Sequence, residues 1–250
     1  MIDFHTHILS GMDDGAKTSA IAVQMLSDSY AQGIDTVVST SHCYITDQAS
    51  ISLFLEKRQA RYKRLCQVIA QTGHPLPQVR LGAEVHMQLD FSGYKDLDQL
   101  CVAGTSYMLI EMPYGKWDQR LYDCLYSLQL KGIRPILAHI ERYAVHEKEF
   151  AALRELDLLY QVNADSFLRF PEKRFLLKLY AENMIHVLGS DMHDTEIRAT
   201  HMKDAIRTIR KKYGKDFLGY LQQNASTILE NSDIVHRNFP QLSFWDKVTL

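Results

Sequence analysis

Short apolar runs alternate along this chain with longer stretches in which apolar residues recur every three or four positions. The runs are typical of buried strands, and the longer stretches are typical of amphipathic helices. Strands are predicted at 2–4, 36–39, 79–83, 107–110, 135–138, 159–162 and 186–188. Helices are predicted at 18–31, 47–71, 118–131, 147–156, 171–182, 201–213 and 216–223. This alternation predicts an α/β fold whose parallel strands are joined by right-handed crossovers.

The pattern continues without an internal repeat, a low-complexity run or a Pro/Gly/Ser-rich linker, so no domain boundary is predicted. A length of 250 residues is common for a single α/β barrel. We therefore expect one domain over residues 1–250. The stretch 235–250 departs from the pattern, and we expect it to be a tail that is either docked or loosely ordered.

A polar side chain, in most cases one that can bind a metal ion, follows almost every predicted strand. In chain order these residues are His5, His7, His42, Glu84, Glu111, His139, Asn163, Asp191 and His193. In a parallel barrel the carboxyl ends of all strands meet at one rim, where active sites are built. The sequence therefore predicts that these distant residues converge in one cleft.

The types of these residues indicate the chemistry of the cleft. Imidazole and carboxylate ligands without thiolates suit divalent cations such as Mn²⁺, Fe²⁺, Co²⁺ or Zn²⁺. His5 and His7 are two positions apart in a strand, so their side chains share a face and can bind one ion. Several carboxylates packed together repel one another unless cations lie between them. Two or three closely spaced ions meet this requirement and also suit in-line attack on phosphorus, which favours a metal-dependent phosphoesterase.

Each candidate also has a structural interpretation when it is taken alone. His42 can be a core histidine, Glu111 a loop carboxylate, and residues 13–15 an ordinary turn. All of these interpretations would have to hold at the same rim, so the metal hypothesis is favoured. The remaining histidines are interpreted as structural: His74, His86, His146, His186, His201 and His236.

Two arginines near the expected rim, Arg142 and Arg198, are candidates for binding phosphate oxygens. The alternative is a structural salt bridge with a nearby acid such as Glu141 or Glu196. Spacing alone leaves these two interpretations open.

Composition narrows the choice of partners and location. The formal net charge of -2, without a basic stripe, argues against nucleic-acid binding. No apolar run is long enough to insert into a membrane, and the first residues lack the pattern of a signal peptide. The four scattered cysteines form no C-x-x-C pair, and none precedes an arginine by six positions as a cysteine-dependent phosphatase requires. We therefore expect a cytoplasmic protein with reduced thiols and no cysteine chemistry.

The order of short motifs resembles the polymerase-and-histidinol-phosphatase (PHP) superfamily. The motifs are HTH at 5–7, DDG at 13–15, TSH at 40–42, GAE at 82–84, IE at 110–111, AHIERY at 138–143 and SDMH at 190–193. Within the superfamily the chain is similar to the bacterial manganese-dependent protein-tyrosine phosphatases of capsule and exopolysaccharide synthesis. The similarity runs from His5 to about Arg198 and into the following helices.

The resemblance implies a distorted (β/α)7 barrel of TIM type, with the active site at the carboxyl ends of the strands. It also implies three metal ions, with Mn²⁺ as the first choice and Fe, Co or Zn as alternatives. The implied ligands are His5, His7, Glu84 and Asp191 for one ion, Glu84, Glu111 and His139 for the second, and Asp14, His42 and His193 for the third. Asp14 is preferred to Asp13, although the sequence leaves that choice open.

The mechanism implied by the resemblance begins with a hydroxide, generated by the cations, that attacks phosphorus in line with the leaving oxygen. The resemblance places Arg142 and Arg198 on the phosphate, where they stabilise the charge on its equatorial oxygens. A phenolate leaves readily because the pKa of its conjugate acid is about 10. His42 or His193 donates the proton in this scheme if it is not bound to a metal.

Relatives of this type act on the tyrosine-rich tails of bacterial tyrosine kinases, so a phosphotyrosine-bearing protein of that kind is the expected partner. Aromatic residues near the rim either line a groove for a phosphopeptide or anchor loops to the barrel: Tyr44, Tyr114, Trp117 and Tyr143. The sequence leaves both interpretations open.

Three other functions compete with this hypothesis. A phosphatase for a small molecule such as histidinol phosphate would share the fold and the metals. A metal-dependent amidohydrolase would require a bridging lysine after a middle strand, where this chain has Glu84 and Glu111. A metal-binding regulatory module without turnover would be expected to lack ligands, and none of the expected ligands is missing.

Overall fold

The computed structural model describes residues 1–88, 90–169 and 173–239. Nine strand segments lie within these ranges, and every pair of neighbours is parallel, as predicted. They are β1 (Ile2–Thr6), β2 (Thr36–Ser39), β3 (His42–Cys43), β4 (Gln78–Leu81), β5 (Glu84–His86), β6 (Tyr107–Glu111), β7 (Arg134–Leu137), β8 (Leu159–Asn163) and β9 (Val187–Gly189).

Two of the seven predicted strands are each followed, after a gap of two residues, by a short second segment, which explains the larger number of segments. β2 pairs with β1 and β4, whereas β3 and β5, which follow after residues 40–41 and 82–83, pair with each other and open a second sheet. That sheet continues through β6, β7 and β8 to β9. An isolated parallel bridge between Thr6 and Met192 then joins the segment that follows β9 to the end of β1. The strands therefore curl into a distorted barrel, which confirms the predicted fold class.

Seven α-helices lie between and after the strands in the described ranges. They are α1 (Ser19–Ala31), α2 (Gln48–Ile69), α3 (Gln119–Leu130), α4 (Phe150–Leu153), α5 (Lys173–Ala181), α6 (Met202–Lys212) and α7 (Lys215–Leu229). Side-chain caps set the starts of α1 and α2, because Thr18 accepts a hydrogen bond from the Ile21 N–H and Asp47 accepts one from the Ser50 N–H. Both of these starts were predicted.

The helix predicted over 147–156 is only partly present. Its central part is the short α4, and a 3-10 helix at Ile140–His146 precedes it. Packing explains the difference, since the ring of His146 stacks on the buried Trp117 with ring centroids 4.4 Å apart, and Phe150 is fully buried. Residues 171–172 of another predicted helix lie outside the described residues.

Two apolar clusters hold the barrel together. The inner one contains Phe4, Val38 and Leu109 from three strands, and α7 packs Ala225 and Ile228 onto it. A larger cluster fills the space between the sheet and the surrounding helices. Across the described ranges every helix is too short or too polar to span a lipid bilayer.

Part of the expected tail is docked on this framework. The ring of Phe239 lies 5.1 Å from that of Phe217 and 5.2 Å from that of Tyr220. Just before it, Asp233 pairs with Arg134 at 2.6 Å. Residues 240–250 of the predicted tail lie outside the described residues.

Candidate metal centre

All nine residues that the sequence nominates as metal ligands lie together at the carboxyl ends of the strands. β1 and the residue after it carry His5 and His7, and the loop that follows carries Asp14. His42 and Glu84 begin the short segments β3 and β5, and Glu111 ends β6. The other three lie in the segments that follow β7 and β9: His139, Asp191 and His193. The prediction that these residues converge on one cleft is confirmed.

The two histidines of β1 meet two carboxylates in the buried part of the cleft. The Nε2 atoms of His5 and His7 are 3.0 Å apart. They lie 3.2 and 3.3 Å from Oε2 of Glu84 and 3.6 and 3.5 Å from Oδ1 of Asp191. Two imidazole nitrogens and two carboxylate oxygens therefore face a common space.

Glu84 connects this group with the neighbouring strand ends. Its Oε1 lies 2.8 Å from Nε2 of His139, and its Oε2 lies 3.0 Å from Nδ1 of His42. Glu111 completes this side, with its carboxylate oxygens 3.9 Å from His139 and 4.0 Å from His42. The Glu84 carboxylate is thus the element shared by both groups.

A third group lies on the more exposed side of the cleft. Oδ1 of Asp14 is 3.2 Å from Nε2 of His193 and 3.6 Å from Nε2 of His42. Burial and the neighbouring charge of His7 lower the pKa of His193 to about 4, so its ring is neutral at pH 7. The neutral ring is the form of histidine that binds a cation.

Asp13 and Asp14 have different surroundings in the structure. Oδ2 of Asp13 accepts hydrogen bonds from Nδ1 of His7 at 2.8 Å and from the His42 N–H at 2.9 Å. Its other oxygen accepts the Gly15 N–H at 3.0 Å. Asp13 therefore orients two of the histidines, whereas Asp14 turns its carboxylate toward His193.

Two glycines allow the chain to approach the histidines closely. A Cβ atom at Gly15 would lie 2.2 Å from the carbonyl oxygen of His7, and a Cβ at Gly189 would lie 2.4 Å from Cβ of His5. The backbone is also unusual at two candidate ligands, since φ is +32° at His139 and +54° at Asp191. Such conformations cost free energy in residues other than glycine and concentrate at functional sites.

Opposite charges keep the carboxylates ionised despite burial. Burial raises the pKa of Glu84, but the charge of His5 and hydrogen bonds from neighbouring histidines outweigh it and hold the pKa well below its usual value. The pKa of Asp191 is likewise held well below normal against the effect of burial, first by His5. Burial lowers the pKa of His5, yet these two carboxylates raise it overall. Glu84 and Asp191 are therefore ionised, which is the form of a carboxylate that binds a cation.

The arrangement fits divalent metal ions. Three buried atoms that face the cleft have no well-formed hydrogen bond among the described residues, namely Nδ1 of His42, Oε2 of Glu84 and Nε2 of His193. Buried polar atoms nearly always have a partner, and a cation would supply it here. Three sets have donor atoms within 4.8 Å of one another: His7, Asp14, His42 and His193; His5, His7 and Glu84; His42, Glu84 and Glu111. Nitrogen and oxygen donors of this kind suit Mn²⁺, Fe²⁺, Co²⁺ or Zn²⁺.

The two nominated arginines border the same cleft. Arg142 donates to Oδ2 of Asp191, and Arg198 lies 3.2 Å from Oδ1 of Asp191 and 3.3 Å from Oδ2 of Asp14. Among the described residues neither arginine pairs with Glu141 or Glu196, but both form salt bridges with acids of the cleft, Asp191 and Asp14, so the structural alternative is observed with other partners. Both guanidinium groups line a cavity of about 490 Å³ that opens beside Asp191.

The aromatic residues near the rim separate into two classes. Trp117 and Tyr143 are buried, with exposures of 3% and 0%, so they anchor loops to the barrel. Tyr44 and Tyr114 are 58% and 64% exposed. Tyr114 lines the cavity that holds the arginines, and the ring of Tyr44 lies 5.7 Å from that of His42. Only the second class is available to a substrate.

Sequence reasoning missed several polar residues at this site. Asp13 was considered only as the alternative to Asp14, and His86, interpreted as structural, lies 3.3 Å from Glu111. Gln161 was not nominated, although it is buried and contacts two candidate ligands. The available signal was the pair of amides at Gln161 and Asn163, spaced by two residues within an otherwise apolar strand.

Comparison with known proteins places this geometry in a family. A family model described as "Capsular polysaccharide synthesis, CpsB/CapC" matches residues 1–230. The tyrosine-protein phosphatase YwqE of Bacillus subtilis is 31% identical over 246 residues, which cover 94% of this chain and 93% of the relative. The tyrosine-protein phosphatase CpsB of Streptococcus agalactiae is 29% identical over 252 residues, covering 92% of this chain and 99% of the relative.

Solved structures agree with this placement. A structure from a study of YwqE of Bacillus subtilis and CpsB of Streptococcus pneumoniae, described as unique metal-dependent tyrosine phosphatases, superposes with a TM-score of 0.77. That match is 28% identical and covers 97% of this chain and 100% of the other. The phosphotriesterase homology protein of Escherichia coli, at 11% identity and a TM-score of 0.52, shares the fold alone. The chain therefore belongs to the CpsB/CapC family of capsular polysaccharide synthesis proteins.

Proposed function

We propose that this protein is a metal-dependent protein-tyrosine phosphatase that hydrolyses phosphotyrosine in the control of capsular or exopolysaccharide synthesis. The observation that carries the proposal is the convergence of five histidines and four carboxylates on one cleft bordered by two arginines. Relatives with about 30% identity over most of the chain are named tyrosine-protein phosphatases, which supports the same activity.

Nine residues would hold the metal ions. The proposed sets are His5, His7, Glu84 and Asp191, then Glu84, Glu111 and His139, and finally Asp14, His42 and His193. Mn²⁺ is the proposed native ion, and Fe, Co or Zn would meet the same ligand requirements. When bound, such ions supply Lewis-acid activation of water and of the phosphoryl group near neutral pH.

The protein's own cationic groups would bind and orient the phosphate. Arg142 reaches toward the cleft from the 3-10 helix that follows β7, and Arg198 from the loop that follows β9. Each guanidinium offers a planar pair of donors that matches phosphate oxygens. Both side chains are partly exposed, so a phosphate can reach them from solvent. Their positive charge would stabilise the charge that develops on phosphate oxygens during transfer.

Leaving-group and nucleophile chemistry agree with this proposal. A departing tyrosine oxygen has a conjugate-acid pKa of about 10, so it requires less assistance from a proton donor than an alkoxide does. His42 or His193 would donate that proton when not engaged by a metal.

A cysteine nucleophile is disfavoured because burial raises the pKa of Cys43 and of Cys101 to about 12, which keeps both thiols protonated.

The substrate that we propose is the tyrosine-rich tail of a bacterial tyrosine kinase. Such a tail would cross the rim, where the exposed Tyr114 lines the cavity that holds the arginines and the exposed Tyr44 lies beside His42. An aromatic face next to a phosphate-binding arginine suits a phosphotyrosine ring, because offset or edge-to-face ring contacts are favourable. A small alkyl phosphate would leave these faces unused.

The proposal is tested with protein that has been stripped of metal by a chelator and then reloaded separately with Mn²⁺, Zn²⁺ or Mg²⁺. Phosphate release is measured from a phosphotyrosine peptide and from histidinol phosphate. We expect Mn²⁺-dependent turnover of the peptide, and a loss of about 100-fold or more in Glu84→Gln. Glu56→Gln, the same chemical change on the exposed face of α2, is the matched control.

Each outcome separates the proposal from its rivals. Activity that survives complete metal removal would contradict the metal-dependent mechanism. Hydrolysis of histidinol phosphate without turnover of the peptide would favour the small-molecule phosphatase. Mn²⁺ binding without hydrolysis of either compound would favour a regulatory module.

A further inference from the structure

Two amide side chains of β8 lie buried beneath the candidate ligands, where no function has been assigned to them. Gln161 is 0% exposed and Asn163 is 5% exposed. They are two positions apart, so both project from the same face of the strand. Burying an amide without hydrogen bonds is costly, and an apolar residue would otherwise be expected in this strand.

The direction of the hydrogen bonds at one end of this pair is fixed by a backbone group. The N–H of His139 can only donate, and it donates to Oε1 of Gln161 at 2.8 Å. The same oxygen lies 3.0 Å from Nδ1 of His5, so that ring nitrogen must carry a hydrogen and donate as well. A neutral His5 then has its lone pair on Nε2, the atom that faces Glu84 and Asp191.

A carboxylate fixes the direction at the other end. Ionised Asp191 can only accept, so the group 3.1 Å from its Oδ2 is the Nδ2 amide of Asn163. The carbonyl oxygen of Asn163 then accepts from Nε2 of Gln161 at 2.8 Å. All four hydrogen bonds therefore agree in direction, from the His139 backbone to the Asp191 carboxylate.

We propose that Gln161 and Asn163 are positioning residues that preset the metal centre by fixing the tautomer of His5 and the orientation of Asp191. Asn163 and Arg142 both donate to Oδ2 of Asp191, which leaves Oδ1 turned toward the histidines of β1. Close packing holds the Gln161 side chain in place, since a Cβ atom at Gly189 would lie 2.8 Å from Nε2 of Gln161. Partners of this kind typically change metal affinity 10–100-fold when they are removed.

This inference rests on the metal centre of the proposed function but not on its substrate, so the test measures ion binding instead of activity. Metal-free parent, Gln161→Leu and Tyr160→Phe are titrated with Mn²⁺, and bound ions per chain are counted at defined free Mn²⁺. Leucine has a volume similar to that of glutamine but cannot hydrogen-bond. Tyr160→Phe is the matched control, because Tyr160 precedes Gln161 in β8 and its hydroxyl is directed to Leu153.

We expect Gln161→Leu to bind Mn²⁺ about 10–100-fold more weakly than the parent, and Tyr160→Phe to stay within about threefold. Thermal unfolding of the metal-free proteins verifies that both variants are folded. A folded Gln161→Leu that binds Mn²⁺ within about threefold of the parent would overturn the proposal. Failure of the phosphatase assay alone would not affect this result, so the two proposals fail independently.

A second measurement reads the His5 tautomer in the parent protein and does not depend on the folding of Gln161→Leu. Long-range ¹⁵N–¹H NMR spectra of ¹⁵N-histidine-labelled, Zn²⁺-loaded protein distinguish the two tautomers, and the His5 signals are those lost in His5→Gln. We expect a proton on Nδ1 of His5. A proton on Nε2 would refute the directional argument, whatever the affinity of Gln161→Leu.

Discussion

His186 provides a sharp test of the packing at the end of the barrel opposite the candidate metal centre. Its ring is 2% exposed, and Nδ1 accepts the Tyr160 N–H at 3.1 Å. The rings of Tyr160 and His236 lie 5.5 and 5.4 Å away. Burial, followed by the charge of His236, lowers the pKa of His186 from 6.5 to about 3. The folded protein therefore holds this ring in its neutral form.

The sign of the pH effect follows from the direction of this shift. Below pH 6.5 the unfolded chain binds a proton at His186, whereas the folded protein does not until the pH approaches 3. Stability from this residue is therefore complete above pH 6.5 and is lost as the pH falls. From pH 7 to pH 5 the loss is about 2 kcal/mol, given 1.36 kcal/mol for each pH unit below the unfolded pKa.

The test compares the parent with His186→Asn, in which the amide oxygen can still accept the Tyr160 N–H but the side chain does not titrate. Urea unfolding of both proteins at pH 7, 6 and 5 gives the free energy of unfolding in each case. The variant loses ring packing at every pH, so the informative quantity is the difference between the two pH slopes. Other titrating groups contribute equally to both proteins and cancel.

We expect the parent to lose about 2 kcal/mol more than the variant between pH 7 and pH 5. For a domain of this size that corresponds to a difference of roughly 4–8 °C in the shift of Tm. Parallel pH profiles for the two proteins would refute the reasoning. Such a result would mean that His186 is solvated, or protonated, in the folded state.

Three further predictions concern the candidate metal centre and its rim. Asp14→Asn is expected to lower the number of Mn²⁺ ions bound per chain at saturation. Asp13→Asn is expected to lower the affinity for Mn²⁺ about 10–100-fold without changing that number. The same number of bound ions in both variants would contradict the division of roles. Gly189→Ala should lower the free energy of unfolding in urea by about 1–3 kcal/mol, because the added Cβ would overlap neighbouring atoms. The control Gly219→Ala, whose added Cβ would have no atom within 4 Å, should leave that free energy unchanged or raise it slightly. Tyr114→Ala should lower kcat/KM about 2–10-fold for an aryl phosphate but not for an alkyl phosphate, from a ring contact of about 0.5–1.5 kcal/mol; an equal loss on both substrates would count against a ring contact.

The sequence predicted the fold class because its local signals agree with one another. The strand of residues 36–39 was predicted with its observed bounds, and the helix starts at Thr18 and Asp47 were identified from capping residues. In such segments, apolar periodicity and caps act over a few residues and do not depend on distant parts of the chain. The interruptions before β3 and β5 were not predicted, because local periodicity does not show where the chain passes from one sheet to the other.

The approximate location of the candidate site could also be predicted from the sequence. Parallel strands bring their carboxyl ends to one rim, so a residue placed after a strand is assigned to that rim by topology alone. This rule correctly gathered residues as distant as His5 and His193. It carries no information about which atom faces which neighbour.

Only the tertiary structure decides which side-chain atom faces which neighbour. The different roles of Asp13 and Asp14 depend on the path of one loop around the backbone of His7, which Gly15 permits. The burial of Tyr143 and the exposure of Tyr114 depend on how the loops pack over the rim.

The hydrogen bonds of Gln161 also depend on tertiary structure, because they link three strands that are remote in sequence. The sequence by itself determined which helices and strands form and at which end of the barrel the ligand-type residues lie. Those properties follow from local periodicity and from strand direction. The structure decided the orientation of each donor and acceptor, because orientation depends on backbone torsions and on contacts between distant segments.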